Sequence, residues 1–311
     1  MVGYHAAPGR VPGGFIGVDV FFVISGFLIT AIIVRDHEDD RFSFSTFYAR
    51  RCRRILPALF VVLIAALAIG WRTLLSPEFD ALARDIIAGA TFTTNVVVWR
   101  NFGYFADAAG YTPLLHLWSL AVEEQFYILW PVALVLLLRR RGPWATLAAI
   151  AAAASFILNV WIVRRHSVMT FYLLPTRFWE LMIGAVVASA ASQSHIRNWS
   201  RRRSFAEVVV VLALASVAMA AFLFAPDSDY PGWRALIPTL AAAAVLAFGN
   251  SSRIARLCLS NPTAVSIGLV SYPLYLWHWP LLSFAHIWQI GIVPHATRLM
   301  LVGLSFLLAY V

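Results

Sequence analysis

Residues 16–34 read IGVDVFFVISGFLITAIIV, and this stretch decides the fold class. It is long enough to cross the hydrocarbon core of a bilayer as a helix, and its only charged residue is Asp19. Similar apolar runs recur along the chain, in which 61% of the 311 residues are hydrophobic and 13% are charged. Because lipid cannot satisfy backbone polar groups, such runs form helices. The sequence therefore predicts an all-α polytopic membrane protein.

The apolar runs extend over the whole length, so residues 1–311 are expected to form one membrane domain without a soluble domain. Candidate spans cover residues 16–34, 55–71, 114–138, 144–163, 171–190, 205–225, 233–249 and 264–288, and another begins near Ala296. Residues 81–99 are less apolar, since Arg84 and Asp85 lie among several polar residues. About nine to ten transmembrane helices are expected, together with one partly re-entrant segment.

The arginines predict the sidedness of these spans, because short cytoplasmic loops are enriched in basic residues. Most arginines fall on the cytoplasmic side if residues 35–54 are inside and residues 72–113 are an external, partly re-entrant stretch. The net charge of +9 is scattered between apolar runs, which argues against a nucleic-acid partner. Cys52 and Cys258 then face the reducing side. Both ends of the chain resemble interrupted helices, so we expect a fragment whose first helix is incomplete.

The first candidate site pairs His5 with Asp19 across the turn PGRVPGGF at residues 8–15. If the chain folds back at this turn, the carboxylate would orient the imidazole and stabilise its protonated form. An interfacial histidine and a helix-capping aspartate fit the spacing equally well.

The second candidate site is the arginine cluster in FYARRCRRILPAL, residues 47–59. Anchoring of a helix at the cytoplasmic surface explains such a cluster without any ligand. Arg51 and Arg54, three residues apart, would also share a helix face and clamp a phosphorylated ligand. Arg50 and Arg53 offer a second register.

Further ionisable residues lie within the predicted spans, where they are costly and so are functional candidates. LLHLWSLAVEEQFYILWP at residues 114–131 places His116, Glu123 and Glu124 in the outer half of a span. At least one of the two adjacent carboxylates must face the bundle interior, for a salt bridge or for chemistry. Arg177 and Glu180, three residues apart, indicate a local ion pair.

The last candidate is His278 within SYPLYLWHWPLL, residues 271–282. Aromatic residues at a membrane interface account for its tryptophan neighbours but not for the histidine. Histidine followed by aspartate five residues on, a Walker-type glycine loop, a GxSxG elbow and a CxxC pair are all missing from the sequence. Glycerolipid acyltransferase, ATPase and zinc-site interpretations therefore lose support, and we expect no metal.

Five stretches in order resemble the acyltransferase 3 family of integral-membrane O-acyltransferases, which modify bacterial surface glycans such as lipopolysaccharide and peptidoglycan. They are YHAAPGRVPGGFIGVDVFFVISGFLIT, FYARRCRRILPAL, PLLHLWSLAVEEQFYILWP, LPTRFWELMIGA and SYPLYLWHWPLL. The third and fifth have the form found in members with an extracytoplasmic SGNH-hydrolase domain. In the family a basic residue precedes a key histidine by ten residues. His5 matches that histidine, and the basic residue would lie upstream of Met1.

The resemblance implies an enzyme of the bacterial inner membrane with acyl-coenzyme A as the donor and a glycan hydroxyl as the acceptor. It implies that Arg51 and Arg54 bind acetyl-coenzyme A, while His5 acts as general base or carries the acyl group transiently. Asp19 is then the predicted orienting carboxylate and Glu123 a further catalytic carboxylate. The residues predicted to bind the acceptor are Ser25, Trp118, Glu124 and His278.

Two other interpretations remain open from the sequence. A transporter or flippase for a glycan precursor would line its path with the same buried charges, although such proteins commonly show an internal repeat. An inactive truncated homologue would keep the motifs without the chemistry.

Overall fold

A computed structural model describes residues 1–7, 9–101, 112–192, 203–225, 229–289 and 293–310. The described residues form helices and connecting turns. The helices are α1 (Val2–Ala6), α2 (Gly17–Glu38), α3 (Phe44–Thr73), α4 (Ser76–Ala90), α5 (Thr94–Asn101), α6 (Leu117–Arg139), α7 (Trp144–Ile162), α8 (Ser167–Tyr172), α9 (Leu174–Ser192), α10 (Arg203–Leu223), α11 (Leu236–Phe248), α12 (Arg253–Leu259), α13 (Pro262–Gln289) and α14 (His295–Ala309).

Within the described ranges, seven helices are long and apolar enough to cross a membrane. An eighth span results if α12 and α13, which meet at a 60° bend, cross together. These eight correspond to the eight complete spans expected from the sequence, and they establish a multi-pass membrane protein. The expected total of nine to ten is not shown, because α14 has only 15 residues.

The apolar residues that remain exposed support this assignment. Helix α7 exposes Ile150 (59%), Ile157 (66%) and Trp161 (70%), which share one helix face. Helix α10 likewise exposes Val208 and Leu212. A soluble protein rarely leaves such a stripe uncovered, whereas lipid covers it without cost.

The segment expected to be partly re-entrant consists of two helices rather than one. Helix α4 has 15 residues and α5 has eight, so neither reaches the length of a membrane span. The chain turns between them at Phe92, whose φ of 54° lies in the left-handed region. Such a backbone cannot continue a right-handed helix.

The chain divides into two compact units. Unit 1 comprises Met1–Arg10, Ser43–Glu124 and Ile267–Val311. Its apolar core joins residues of α3, α4, α6 and α13, among them Leu59, Leu82, Leu117 and Leu276. Helix α1 packs against α14 in the same unit. Val2 of α1 also packs against Val270 and Leu274 of α13, so the N-terminal residues lie beside α13 as well.

Unit 2 comprises Val11–Phe42 and Gln125–Ser266. Helix α9 packs against α2 and α7, and α11 packs against α2 and α10. A Cβ atom on Gly26 of α2 would lie 1.9 Å from the Leu181 carbonyl oxygen of α9. One on Gly184 of α9 would lie 2.1 Å from the Val23 carbonyl oxygen of α2. The two glycines therefore allow a close approach of two helix backbones that any side chain would prevent.

Candidate active site

The side chains of His5 and His278 meet in unit 1. Nδ1 of His5 in α1 lies 2.9 Å from Nε2 of His278 in α13. The ring planes differ by 8° and their centroids are 5.1 Å apart. These values together describe two rings that meet at their edges in nearly one plane, as a hydrogen bond between ring nitrogens requires.

His278 makes a second hydrogen bond within its own helix. Its Nδ1 atom lies 2.7 Å from the backbone carbonyl oxygen of Tyr275. The His278 side chain is completely buried. Both of its ring nitrogens therefore have partners inside the protein.

The segment before α6 is fixed onto α13 by aromatic side chains. The Tyr275 hydroxyl donates to the backbone carbonyl of His116 at 2.5 Å and lies 2.7 Å from the Ser119 hydroxyl. The Trp279 indole donates to the backbone carbonyl of Thr112 at 2.9 Å. These contacts place the His116 ring against His278, with ring centroids 5.8 Å apart and planes nearly perpendicular.

Next to these histidines lies a cavity of about 90 Å³. Its lining consists of Met1, Tyr4, His5, Leu115, His116, Trp118 and Trp279. The volume corresponds to about three water molecules at liquid density. An acetyl group, with three heavy atoms, is of comparable size.

His116 is buried, and neither of its ring nitrogens makes a hydrogen bond of normal geometry within the described residues. The backbone of Leu276 lies nearby. In a regular helix the backbone N–H of residue 280 would donate a hydrogen bond to the Leu276 carbonyl oxygen. Pro280 has no N–H, so this carbonyl oxygen can accept a hydrogen bond from another donor. A buried imidazole without a full set of partners gains free energy from a polar ligand that enters the cavity.

The arginine cluster presents its two predicted phosphate-binding side chains differently. Nη2 of Arg51 lies 3.9 Å from Oε1 of Glu124, and both side chains are largely buried. Arg54 is exposed. The Tyr272 hydroxyl donates to the Ile55 carbonyl at 3.0 Å and holds this part of α3 against α13.

The Arg51 contact joins two groups that the sequence placed at different depths of the membrane. The sequence placed Arg51 at the cytoplasmic surface and Glu124 in the outer half of a span, yet the two side chains meet. Helix α3 begins at Phe44, so Arg51 lies about 10 Å along the helix axis from its start rather than at its end. Glu123 is buried and interacts electrostatically with Arg51. Its catalytic role stays a prediction.

Asp19 belongs to a different cluster, in unit 2. Its Oδ2 accepts a 2.6 Å hydrogen bond from the Tyr230 hydroxyl, and its Oδ1 lies 3.2 Å from Nη1 of Arg177. The same Nη1 lies 3.1 Å from Oε1 of Glu180, which confirms the predicted local ion pair. The Asp19, Arg177 and Glu180 side chains are completely buried. The predicted pairing of Asp19 with His5 joins two different units and stays a prediction.

The other predicted residues fall in several places. Trp118 lines the cavity, whereas His278 lies beside it without contributing to the lining. Ser25 is buried in α2 of unit 2. Cys52 and Cys258 are free and exposed. Among the described residues, no group of three or more side chains is arranged to hold a metal ion.

Sequence reasoning missed two residues that fix these clusters. Tyr275 lies three residues before His278, so the shared helix face was a signal that could have identified it. Tyr230 lies 211 residues from Asp19, and no local spacing points to that contact.

Comparisons with known proteins agree with this architecture. The chain matches the model of the acyltransferase domain named Acyl_transf_3 over residues 2–311. It is 31% identical over 305 residues to "Putative O-acetyltransferase SACOL0978" of Staphylococcus aureus strain COL, covering 94% of this chain and 50% of that protein. It is 29% identical over 320 residues to "O-acetyltransferase OatA" of Staphylococcus aureus strain NCTC 8325, covering 98% of this chain and 52% of that protein.

The chain thus spans about half the length of these relatives. No solved structure matches it significantly. A family match that extends from the α1 histidine through the aromatic motif of α13 includes every cluster described above. The chain belongs to the acyltransferase 3 family and is homologous to O-acetyltransferases.

Proposed function

We propose that this protein transfers an acetyl group from cytoplasmic acetyl-coenzyme A to a sugar hydroxyl of a cell-surface or lipid-linked glycan. One observation carries the proposal: His5 shares an acetyl-sized cavity with the incompletely bonded His116 and with Trp118. Family membership supports acyl transfer as the chemistry. The names of the relatives support an acetyl group and an oxygen acceptor.

His5 is the general base in this proposal. It takes the proton of the acceptor hydroxyl while the hydroxyl oxygen attacks the thioester carbonyl carbon. The carbon–sulfur bond then breaks, and the leaving thiolate receives the proton back from His5. The single N–H of neutral His116 makes no hydrogen bond of normal geometry within the described residues, and it is donated to the carbonyl oxygen as negative charge develops there. A neutral imidazole suits the first role because its ordinary pKa lies near neutrality.

The donor's phosphates are assigned to Arg51 and Arg54 of α3. Guanidinium groups bind phosphate through paired, charge-assisted hydrogen bonds. Arg54 is exposed and open to a ligand, whereas Arg51 is turned toward Glu124 at 3.9 Å. A phosphate oxygen would bind Arg51 through a charge-assisted hydrogen bond shorter than this 3.9 Å contact.

The proposed location is the bacterial inner membrane, with about nine to ten membrane spans. The topology predicted from the arginines puts the start of α3 at the cytoplasmic side, where acetyl-coenzyme A is made available. Glu123 keeps its predicted role as a further catalytic carboxylate, and Ser25, Trp118 and Glu124 keep theirs in acceptor binding.

Radiolabelled acetyl-coenzyme A tests the proposal in membranes from cells that express the protein. We expect His5→Gln to lower acetyl transfer to surface glycan by at least about 100-fold, because general-base catalysis contributes roughly 10²–10⁴-fold. His166→Gln is the matched control, since His166 is exposed in unit 2. Acetyl transfer at the wild-type rate in a folded His5→Gln protein would sink the proposal.

A further inference from the structure

We infer that His278 is a positioning residue that fixes the tautomer of His5 and makes Nε2 of His5 the basic nitrogen. This inference rests on the proposed function, in which His5 is the general base. It gives the orienting role to a second histidine instead of Asp19, and it gives His278 a role other than acceptor binding.

The hydrogen bond between the His278 ring and the backbone of its own helix determines which ring nitrogen of His278 carries the proton. A backbone carbonyl oxygen only accepts hydrogen bonds, so the 2.7 Å contact with the Tyr275 carbonyl requires a proton on Nδ1 of His278. In a neutral imidazole the other nitrogen then carries a lone pair. Nε2 of His278 is therefore an acceptor.

The hydrogen bond between the two rings determines which ring nitrogen of His5 carries the proton. Nε2 of His278 accepts, so Nδ1 of His5 must donate across their 2.9 Å contact. The 8° angle between the ring planes aims this proton at the in-plane lone pair of His278. The lone pair of neutral His5 is left on Nε2. Because His5 lines the cavity and His278 does not, Nε2 is the ring nitrogen available to a substrate hydroxyl.

The same bond has an effect on the reaction itself. When His5 takes the hydroxyl proton on Nε2, its ring becomes a cation, and its Nδ1–H bond to His278 becomes charge-assisted and stronger. An interaction that strengthens as the reaction proceeds raises kcat more than it changes substrate binding. His278 would thus play the part that a carboxylate plays beside the histidine of a hydrolase triad.

Steady-state rates of two variants test the positioning role. His278→Leu removes the acceptor, and we expect kcat to fall by about 10–100-fold with little change in KM. His278→Gln places an amide oxygen near the former position of Nε2, so it should recover part of the lost kcat. Equal kcat in wild type and a folded His278→Leu protein would overturn the inference.

Nitrogen-15 NMR of histidine-labelled, purified protein tests the tautomer without any activity. The His5 signals are assigned by their loss in His5→Gln. We expect neutral His5 to be protonated at Nδ1 in wild type and in His278→Gln, and to shift toward Nε2 protonation in His278→Leu. Nε2-protonated His5 in wild type would overturn the inference even if the Leu variant fails to fold. Full activity of His5→Gln would instead defeat the proposed function and leave the tautomer measurement intact.

Discussion

At the residue scale, Arg51 lies beside Glu124 in the structure and binds a donor phosphate in the proposed function. A charge-assisted hydrogen bond is worth roughly 1.5–3 kcal/mol, which corresponds to about 10–100-fold in binding. We therefore expect Arg51→Ala to raise KM for acetyl-coenzyme A by about that factor. Glu124→Gln removes the neighbouring negative charge and should lower the same KM. Initial rates against donor concentration measure both effects.

Two further arginines serve as controls for that experiment. Arg139 is exposed at the end of α6, so Arg139→Ala should leave the donor KM unchanged. Arg53→Ala tests the alternative register of the cluster. If Arg53→Ala raises the donor KM strongly and Arg51→Ala leaves it normal, the donor binds the alternative pair, Arg50 and Arg53, and the proposed assignment is wrong.

The histidine pair shows where sequence reasoning stops at this scale. His5 and His278 were each singled out from local context, because an imidazole in an apolar segment is costly. Their contact spans 273 residues, and no spacing rule connects positions so far apart. The packing of α1 against the rest of unit 1 brings the two histidines together, and this packing depends on all the side chains at once.

At the element scale, helix existence was predictable because each apolar run must satisfy its backbone internally. The positions at which helices end were harder to predict from the sequence. Residues 81–99 read as one weak segment, yet the chain turns at Phe92, a residue type with no turn preference. The close contact of α2 with α9 was also not predictable from the sequence, since the need for glycine at positions 26 and 184 becomes evident only when the two helices are paired.

That helix contact gives a stability prediction for unit 2. A Cβ atom at position 184 would also lie 2.6 Å from the Phe27 backbone nitrogen, so Gly184→Ala must push α9 away from α2. Overpacking of this kind costs about 1–3 kcal/mol of unfolding free energy. We expect a clear fall in the melting temperature of purified protein in detergent. Gly268→Ala in α13 is the matched control, because nothing lies within 4 Å of its added Cβ.

The Gly268 control has a definite expected sign. Replacing a helical glycine with alanine lowers the backbone entropy of the unfolded chain, so Gly268→Ala should keep or raise the melting temperature. Equal losses in the two variants would show that alanine is tolerated no better at an open position than at a crowded one. The proposed helix contact would then not explain the effect.

At the scale of the whole molecule, each unit holds a buried polar cluster inside an apolar framework. The Arg177 cluster of unit 2 brings one guanidinium against two carboxyl groups, and the rings of Phe22 and Phe171 lie about 5.5 Å and 5.4 Å from it. The histidine cluster of unit 1 consists of imidazoles and adjoins a cavity. Internal charge pairing suits a structural role, whereas incomplete bonding beside a cavity suits a ligand.

The stability of the whole protein should also depend on Asp85 in α4, which lies outside the helices long enough to cross the membrane. Burial raises the pKa of the Asp85 carboxyl to about 6, and the Arg84 guanidinium only partly opposes this rise. In the unfolded chain the pKa is near 4. The folded state therefore binds this proton more tightly, and the resulting stabilisation is present below pH about 4 and lost as pH rises through about 6.

Asp85→Asn removes this titration, so its effect on stability should depend on pH. We expect the melting temperature of the variant minus that of wild type to be larger at pH 7.5 than at pH 5, by roughly 2–4 °C. Asp80→Asn is the control, because Asp80 is exposed in the same helix. This substitution should change the melting temperature by the same small amount at both pH values. A pH-independent difference for Asp85→Asn would show that the Asp85 carboxyl reaches solvent in the folded protein, since only burial holds its proton against the nearby Arg84.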